Sequence, residues 1–318
     1  MIRLIQFRYL LLLFLFSCVE HKYTIVVSPE GSYSFEYKGH GDRQDLTDTD
    51  VPMPEGLGWL IHSTLSEDAE SYDYTALKIL DVNEPLPASF YIGDSLYLPS
   101  LLSHPIDVKY SNWFLKETYT LDGRFKSRDV NNKYPMVESM IMDSENPTEG
   151  WASQVFDYLF TETLGRTPLE FNQQGMVAIE LKRWLHEDIA TLPDSVIIDN
   201  FDELKDIGLD IIMQPVPPIH YELMDSLFKQ LEDEVRITID LMDDDFEFSI
   251  TLPGKLVSTN ADTTRGDTLF WYYSVKDFLS DDFILSAKSE QSYPSRIKGM
   301  LLLLVALLLG LFVWRRNS

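Results

Sequence analysis

The sequence predicts an α+β protein in which an antiparallel β-sheet domain carries a central helical insertion and is followed by one transmembrane helix. Segments in which polar and apolar residues alternate, as in half-buried strands, occur both early and late in the chain. Between them, from about residue 146 to residue 233, apolar residues recur at helical spacing. An uncharged run lies near the carboxyl end, and a hydrophobic share of 45% excludes wholesale disorder.

The amino-terminal residues 1–17 are typical of an export signal. Arg3 and Arg8 precede a short apolar stretch that ends beside the only cysteine, Cys18. This stretch is shorter than the about 20 residues needed to cross a bilayer. The segment from Leu15 to Cys18 resembles the bacterial lipobox, whose cysteine is acylated and becomes the first mature residue. Cys18 is therefore predicted to be lipidated and to take up palmitate; a signal cleaved elsewhere and an inert cysteine are the alternatives.

The carboxyl-terminal residues 296–318 are predicted to form a transmembrane helix with a short basic cytoplasmic tail. Gly299–Trp314 contains no charged residue, and it spans roughly 24 Å against a hydrocarbon core of about 30 Å. Snorkelling basic side chains and an interfacial tryptophan close much of that difference. The residues predicted to flank the membrane are Arg296, Lys298, Trp314, Arg315 and Arg316. A buried core helix is the alternative, which the uniformly apolar circumference disfavours.

One exported acidic domain, residues 18–295, remains between these two ends. The chain has 26 basic and 51 acidic residues, which gives a formal charge of −25. This charge argues against direct electrostatic binding of nucleic acid. The export signal directs the domain outward, so we expect it in the bacterial cell envelope, anchored in the cytoplasmic membrane and facing away from the cytoplasm. With both ends at one membrane, the mature amino terminus and Tyr293 are expected on the same side of the domain.

The first part of the domain is predicted to be β-structure. Two β-rich runs, Tyr23–Val27 and Ser32–Tyr37, flank a turn sequence and predict a hairpin. The segment that begins at Val108 predicts one long strand or a hairpin, with Asp122-Gly123 as a strong turn pair.

The central block is predicted to contain helices that begin near Pro147, near Pro168 and after Pro218. Strands are predicted to resume at Val235–Met242 and to continue to Ser289. Strands on either side of a helical block indicate a layered domain, in which helices cover one face of an antiparallel sheet.

The sequence predicts no catalytic residue, no metal and no cofactor. The six histidines lack metal-ligand spacing, and the motifs of zinc hydrolases, serine hydrolases and nucleotide-binding loops are absent. Acidic clusters such as Asp243–Asp245 are interpreted as solvated loops rather than calcium sites.

A motif in the last third of the domain resembles a known family. Residues 253–261, PGKLVSTNA, followed by residues 266–271, GDTLFW, resemble a hairpin of the LppM-type bacterial lipoproteins. The resemblance implies an envelope lipoprotein with a lipobox, a β-rich domain and a C-terminal transmembrane helix, and it implies no catalytic residues.

The predicted function is that of a membrane-anchored, non-enzymatic module that binds a lipid or an envelope protein, with the membrane itself as a further partner. Two alternatives stay open. One is a structural or assembly factor of an inner-membrane complex, whose C-terminal helix makes specific contacts. The other is an exported hydrolase with an acidic site.

Overall fold

The structure, a computed structural model, describes residues 19–47, 51, 53–66, 71–86, 106–113, 115–143 and 148–317. Its strands are β1 (Glu20–Val27), β2 (Tyr33–Gly41), β3 (Leu60–Leu65), β4 (Tyr72–Leu80), β5 (Asp107–Trp113), β6 (Lys116–Phe125), β7 (Asp245–Thr251), β8 (Lys255–Thr259), β9 (Thr263–Arg265), β10 (Thr268–Ser274) and β11 (Phe283–Ser292). Its α-helices are α1 (Arg43–Leu46), α2 (Val130–Lys133), α3 (Pro135–Met142), α4 (Trp151–Arg166), α5 (Phe171–Glu187), α6 (Asp194–Asp199), α7 (Phe201–Met213), α8 (Tyr221–Asp240) and α9 (Pro294–Asn317). Strands therefore flank a helical block, which confirms the α+β class.

The strands form two sheets, of which one is not antiparallel as predicted. Sheet A has the strand order β3-β4-β2-β1-β7-β10-β9, and sheet B has the order β5-β6-β11-β8. Sheet B is antiparallel, whereas sheet A is mixed because β1 and β7 run parallel, with Glu20 opposite Asp245 and Val26 opposite Thr251. A parallel pair requires a long crossover between its strands. The chain between β1 and β7, which includes the helical insertion, supplies that crossover, so the prediction of a purely antiparallel sheet is wrong.

Aromatic side chains fill the space between the two sheets. Tyr23 on β1 and Phe125 on β6 have ring centroids 6.3 Å apart, and Phe125 lies 4.9 Å from the ring of Tyr273 on β10. Within a strand, residues two apart point to the same face, and the buried faces of both sheets are apolar. The predicted covering of a sheet face by helices is therefore wrong, because each sheet buries the apolar face of the other.

The sandwich has two poles, at the two ends of its strands. The turn after β1 reaches β6, where the Tyr119 hydroxyl donates to the Pro29 carbonyl oxygen at 2.7 Å. The last residue of β11, Ser292, pairs with Lys116, the first residue of β6. These contacts define the proximal pole. The distal pole is the opposite end, where β1 and β7 begin and β6 ends at Phe125.

The helical insertion leaves the sandwich and returns to it at the distal pole, and its helices pack against one another and extend the same hydrophobic core. Phe160 on α4 packs edge-on against Trp184 on α5, with 5.5 Å between the ring centroids. The same phenylalanine lies 4.8 Å from the ring of Phe228 on α8. The helices α4, α5 and α8 thus pack against one another through their apolar faces.

The insertion is longer than the predicted block of residues 146–233, because it begins with α2 and ends with the 3-10 turn Leu241–Asp243. The predicted strand Val235–Met242 belongs instead to the end of α8 and this turn. Apolar residues at 231 and 235 and the buried Thr238 continue the buried stripe of α8 at helical spacing. An alternating stretch this short also fits a helix, so periodicity alone did not distinguish the two.

The segment 253–271, which resembles the LppM-type hairpin, connects the two sheets instead of forming one hairpin. Gly254 has a φ of 85°, and a Cβ there would lie 2.6 Å from a carbonyl oxygen of β11. From this turn β8 joins sheet B beside β11, and β9 and β10 return the chain to sheet A. Asn260 fixes the crossing, since its side-chain oxygen accepts from the Trp271 indole nitrogen at 3.0 Å and from the Ser286 amide at 2.8 Å. These motif residues therefore have structural roles.

The predicted turn pair Asp122-Gly123 lies inside β6, and the chain reverses between β5 and β6 instead. Gly123 faces the core, where a Cβ would lie 3.3 Å from the side chains of Ile106 and Leu285. Close packing between elements, rather than turn geometry, explains this glycine.

Candidate membrane-attachment site

The C-terminal segment forms one helix, α9, with an exposed apolar surface. Apolar side chains that are more than half exposed occur at Met300, Leu301, Leu302, Leu304, Leu307, Leu308 and Leu309. Successive residues of a helix are about 100° apart around its axis, so these positions surround the helix rather than forming one stripe. A helix that is apolar on all sides is normally buried in a large core or in a membrane.

Among the described residues, none of the helices is both long and apolar enough to cross a membrane. The predicted flanking residues occupy the two ends of α9: Arg296 and Lys298 are exposed near its start, and Trp314, Arg315 and Arg316 lie near its end. Cys18, the predicted lipidation site, lies outside the described residues.

The root of α9 is fixed to sheet B at the proximal pole. β11 ends at Ser292 and α9 starts at Pro294, so a single residue, Tyr293, connects sheet and helix. The Tyr293 amide donates to a carbonyl oxygen of the turn between β5 and β6 at 3.1 Å, and its hydroxyl donates to Oε2 of Glu117 at 2.6 Å. The guanidinium of Arg296 lies 3.9 Å from the centroid of the Tyr293 ring, a cation–π contact.

Glu117 is a buried carboxylate that accepts hydrogen bonds from neutral donors. Besides Tyr293, Nδ2 of Asn112 donates to it at 3.2 Å. The Tyr119 hydroxyl, whose one proton is shared with the nearer Pro29 carbonyl oxygen, lies 3.2 Å from Oε2 of Glu117. The hydrogen bond to Glu117 raises the pKa of Tyr293, and burial and the carboxylate charge act in the same direction. Burial, followed by the charge of Glu117, also raises the pKa of Tyr119. Protonated tyrosines facing this carboxylate are therefore the stable arrangement at neutral pH.

Trp113, at the end of β5, is exposed beside this root. It pairs with Lys116, which pairs in turn with Ser292, so Trp113 lies two strand spacings, about 10 Å, from the end of β11. Sequence reasoning missed both Trp113 and Glu117 as members of the site. The period of two along β6 is a signal for Glu117, because it places this carboxylate on the same face as the buried aromatic and apolar residues that follow.

The two predicted attachment points lie at opposite poles. Val19, the neighbour of Cys18, is buried at the distal pole, where its carbonyl oxygen accepts from the Asp245 amide at 2.9 Å. The eight residues of β1 separate it from the proximal pole, a distance of roughly 25 Å. The expected placement of the amino terminus and Tyr293 on one side is therefore wrong, because β1 runs toward the root of α9 and starts at the far end.

A second buried charge lies at the distal pole. Arg128 donates from Nε to Oγ1 of Thr238 and from Nη2 to the Glu234 carbonyl oxygen, both at 2.9 Å. Burial lowers the pKa of its guanidinium. The side chain of Glu234 binds the Lys133 ammonium. These contacts connect the start of the insertion to α8, so the role of Arg128 is structural.

One histidine lies buried between the sheets. Nδ1 of His21 is 2.8 Å from the Tyr37 hydroxyl, its Nε2 is 3.5 Å from a carboxylate oxygen of Asp244, and its ring stacks on Phe246. Across the part of the chain that the structure describes, His, Cys, Asp and Glu side chains form no group of three or more suited to a metal ion.

Comparisons with known proteins add one structural likeness. No family model matches the chain, and no curated protein matches it. The chain is similar to the solved NMR structure of the folded domain of LppM from Mycobacterium tuberculosis, at 11% identity and a TM-score of 0.33, over 88% of this chain and 93% of that one. A TM-score this low carries no argument about fold or function, so the chain's own residues must support any proposal.

Proposed function

We propose that this chain is a membrane-anchored envelope lipoprotein whose α9 is the anchor and whose α+β domain binds a lipid or protein partner without catalysing a reaction. The observation that carries the proposal is the exposed apolar surface around α9. Leucines on all sides of a helix are stable in lipid, where the backbone is satisfied within the helix and the side chains need no protein partner.

Residues 296–318 are proposed to cross the cytoplasmic membrane, with residues 18–295 outside and residues 1–17 removed as the signal. The uncharged run Gly299–Trp314 supports this proposal, since basic residues flank it on both sides. Its length is somewhat short for a typical bilayer, and snorkelling of the flanking side chains compensates for such a mismatch.

Cys18 is proposed as the lipidation site and thus as a second attachment, which stable anchoring by acyl chains generally requires. Val19 lies at the distal pole, whereas α9 begins at the proximal pole. If the acyl chains of Cys18 enter the same bilayer as α9, both ends of β1 are held near the membrane surface. Cys18→Ser is expected to abolish incorporation of labelled palmitate while the chain stays in the membrane fraction through α9. Uptake of palmitate by this variant would contradict the assignment of Cys18.

Flotation with phosphatidylcholine vesicles tests the anchor itself. The mature chain, residues 18–318 with Cys18→Ser, has neither signal nor acyl group, and α9 alone is then expected to carry it upward with the vesicles. Replacing Leu304 and Leu308 by Asp introduces two charges into the apolar surface, each unfavourable by ~2.5–3.5 kcal/mol at a membrane centre. This double variant is expected to remain at the bottom of the gradient.

Ile179→Asp is the matched control for that experiment. Ile179 is an exposed apolar residue of the helical insertion, so its replacement adds a charge elsewhere on the protein and is expected to leave flotation unchanged. Flotation of the double variant at the level of the unmodified mature chain would contradict the proposal that α9 is the anchor.

The partner-binding role of the domain is proposed because exposed apolar residues also occur outside α9, such as Phe171 and Ile219 of the helical insertion. Mild crosslinking in intact cells, followed by purification of the full chain, tests this role. Recovery of neither a lipid nor a reproducible protein partner would contradict it.

A further inference from the structure

We propose that Leu57, Val82 and Trp113, three exposed apolar residues at the proximal pole, insert into the headgroup region of the bilayer around the root of α9. We call these three residues the apolar rim. The inference rests on the proposed function of α9 as a membrane anchor. It goes beyond that function because it assigns a second contact with the membrane to the folded domain itself.

The apolar rim lies where three neighbouring strands meet the proximal pole. Leu57 precedes β3, Val82 follows β4 and Trp113 ends β5, and their exposed fractions are 97%, 44% and 76%. Asn83, next to Val82, holds the end of β4 against β5: its side-chain oxygen accepts from the Tyr110 amide at 2.7 Å, and its Nδ2 donates to the Tyr110 carbonyl oxygen at 3.2 Å. The rim is therefore part of the folded domain.

The apolar surface continues from the rim onto the outer face of sheet A. Leu60 on β3 stands opposite Leu77 on β4, and Ile79 lies two residues further along β4 on the same face. Leu60 and Ile79 are 70% and 74% exposed. Exposed apolar residues that adjoin one another in this way mark an interaction surface more often than single exposed residues do.

The position of α9 identifies the bilayer as the occupant of this surface. Trp113 lies about 10 Å from the end of β11, and Tyr293 fixes the helix there, so the medium that covers the leucines of α9 begins beside Trp113. Tryptophan prefers the membrane–water interface. Arg296 and Lys298, in the same layer, are attracted to lipid phosphates.

The proximal pole carries charges of both signs. Glu30 and Asp81 lie in its turns and are repelled by an anionic leaflet, whereas Arg296 and Lys298 are attracted to one. Phosphatidylcholine is therefore the appropriate probe lipid.

Depth-dependent quenching by doxyl-labelled phosphatidylcholine tests the inference. The mature chain with Cys18→Ser receives one cysteine with an environment-sensitive fluorophore at position 57, 82 or 113. His40, an exposed residue at the distal end of β2, is the matched control position because it pairs with Glu20 at the start of β1, roughly 25 Å from the proximal pole. Labels in the rim are expected to lose most of their fluorescence in vesicles with quencher near the headgroups, and a label at position 40 is expected to keep it.

Flotation of each labelled chain is measured first, so that two kinds of failure are distinguished. A chain that does not float with the vesicles contradicts the proposed anchor. A chain that floats while its rim labels are quenched no more than the label at position 40 overturns the present inference alone. In that case the rim is free at the membrane surface, as expected if it binds a protein partner instead.

Discussion

Each pole of the sandwich contains one buried charged side chain, but the two side chains hold different elements in place. At the distal pole the buried Arg128 is bound by a hydroxyl and a carbonyl oxygen, and at the proximal pole the buried Glu117 is bound by a tyrosine hydroxyl and an amide. In both cases neutral groups form the hydrogen bonds to a charge that burial would otherwise destabilise. Each charge fixes an added element to the sandwich.

The surroundings of the two charges differ. In the insertion that Arg128 holds, the buried Phe160 contacts helices on two sides. The helix that Glu117 holds through Tyr293 has exposed leucines around it, and Trp113 beside it is exposed as well. Phe160 is therefore buried within the insertion, whereas the leucines of α9 are exposed on all sides. This difference fits the proposal that α9 enters a membrane.

The largest loss of stability is expected from a substitution at the distal pole. Arg128→Ala removes both hydrogen bonds to α8 and leaves a buried gap, and it is expected to lower the free energy of unfolding by about 3 kcal/mol. Chemical denaturation of the detergent-solubilised mature chain measures this change. Arg183→Ala, at an exposed position of α5, is the control and is expected to have almost no effect. An equally small effect at Arg128 would show that the insertion does not depend on this charge.

A smaller effect is expected at the proximal pole. In Glu117→Gln one acceptor oxygen remains for the Tyr293 hydroxyl, but the new amide group faces Nδ2 of Asn112, another donor. We expect a loss of about 1 kcal/mol in unfolding free energy and greater freedom of the root of α9, visible as a broader distance distribution in pulsed EPR. The matched control is Glu290→Gln on the outer face of sheet B, where the ion pair with Lys116 is partly exposed. A broadening at Glu290→Gln as large as at Glu117→Gln would contradict a specific role for Glu117.

The smallest expected effect is a change with pH at the root of α9, at the proximal pole. The pKa of Tyr293 is raised in the folded chain, whereas an unfolded tyrosine titrates near about 10. Its contribution to stability is therefore present below about pH 10 and is lost as the pH rises through the higher folded value. The distance distribution at the root of α9 is expected to broaden at strongly alkaline pH. Tyr293→Phe, which has no ionisable hydroxyl, is expected to lack this alkaline transition; its persistence in the variant would assign it to another group.

The local elements were largely predictable from the sequence, because periodicity and turn residues act over short distances. The hairpin of β1 and β2 and the helices α4, α5 and α8 are predicted close to their observed places. Where one pattern fits two structures the prediction failed, as for Val235–Met242, whose residues continue α8. The turn predicted at Gly123 was wrong for a related reason, because glycine occurs at close-packed positions as well as in turns. Its neighbours Ile106 and Leu285 lie outside β6.

Long-range pairing was not predictable in the same way. The parallel partnership of β1 with β7 joins residues more than two hundred positions apart, and no local signal specifies it. Because that register also sets the direction of β1, the sequence did not indicate that Val19 and Tyr293 lie at opposite poles. The predicted flanking residues of α9 are at the two ends of this helix, whereas Glu117 and Trp113 join the site only through the pairing of β5, β6 and β11.

α9 begins at one pole of the sandwich, beside Trp113 and remote from Val19, and we expect it to be held rigidly there. Pulsed EPR on the mature Cys18→Ser chain in bilayers tests this most directly, with one spin label at Lys298 and the other at Trp113 or at His40, an exposed residue at the distal end of β2. We expect a narrow distribution within about 25 Å for the first pair, and for the second pair a distance longer by much of the roughly 25 Å length of β1. Equal distances for the two pairs, or a broad distribution for the first, would contradict the account.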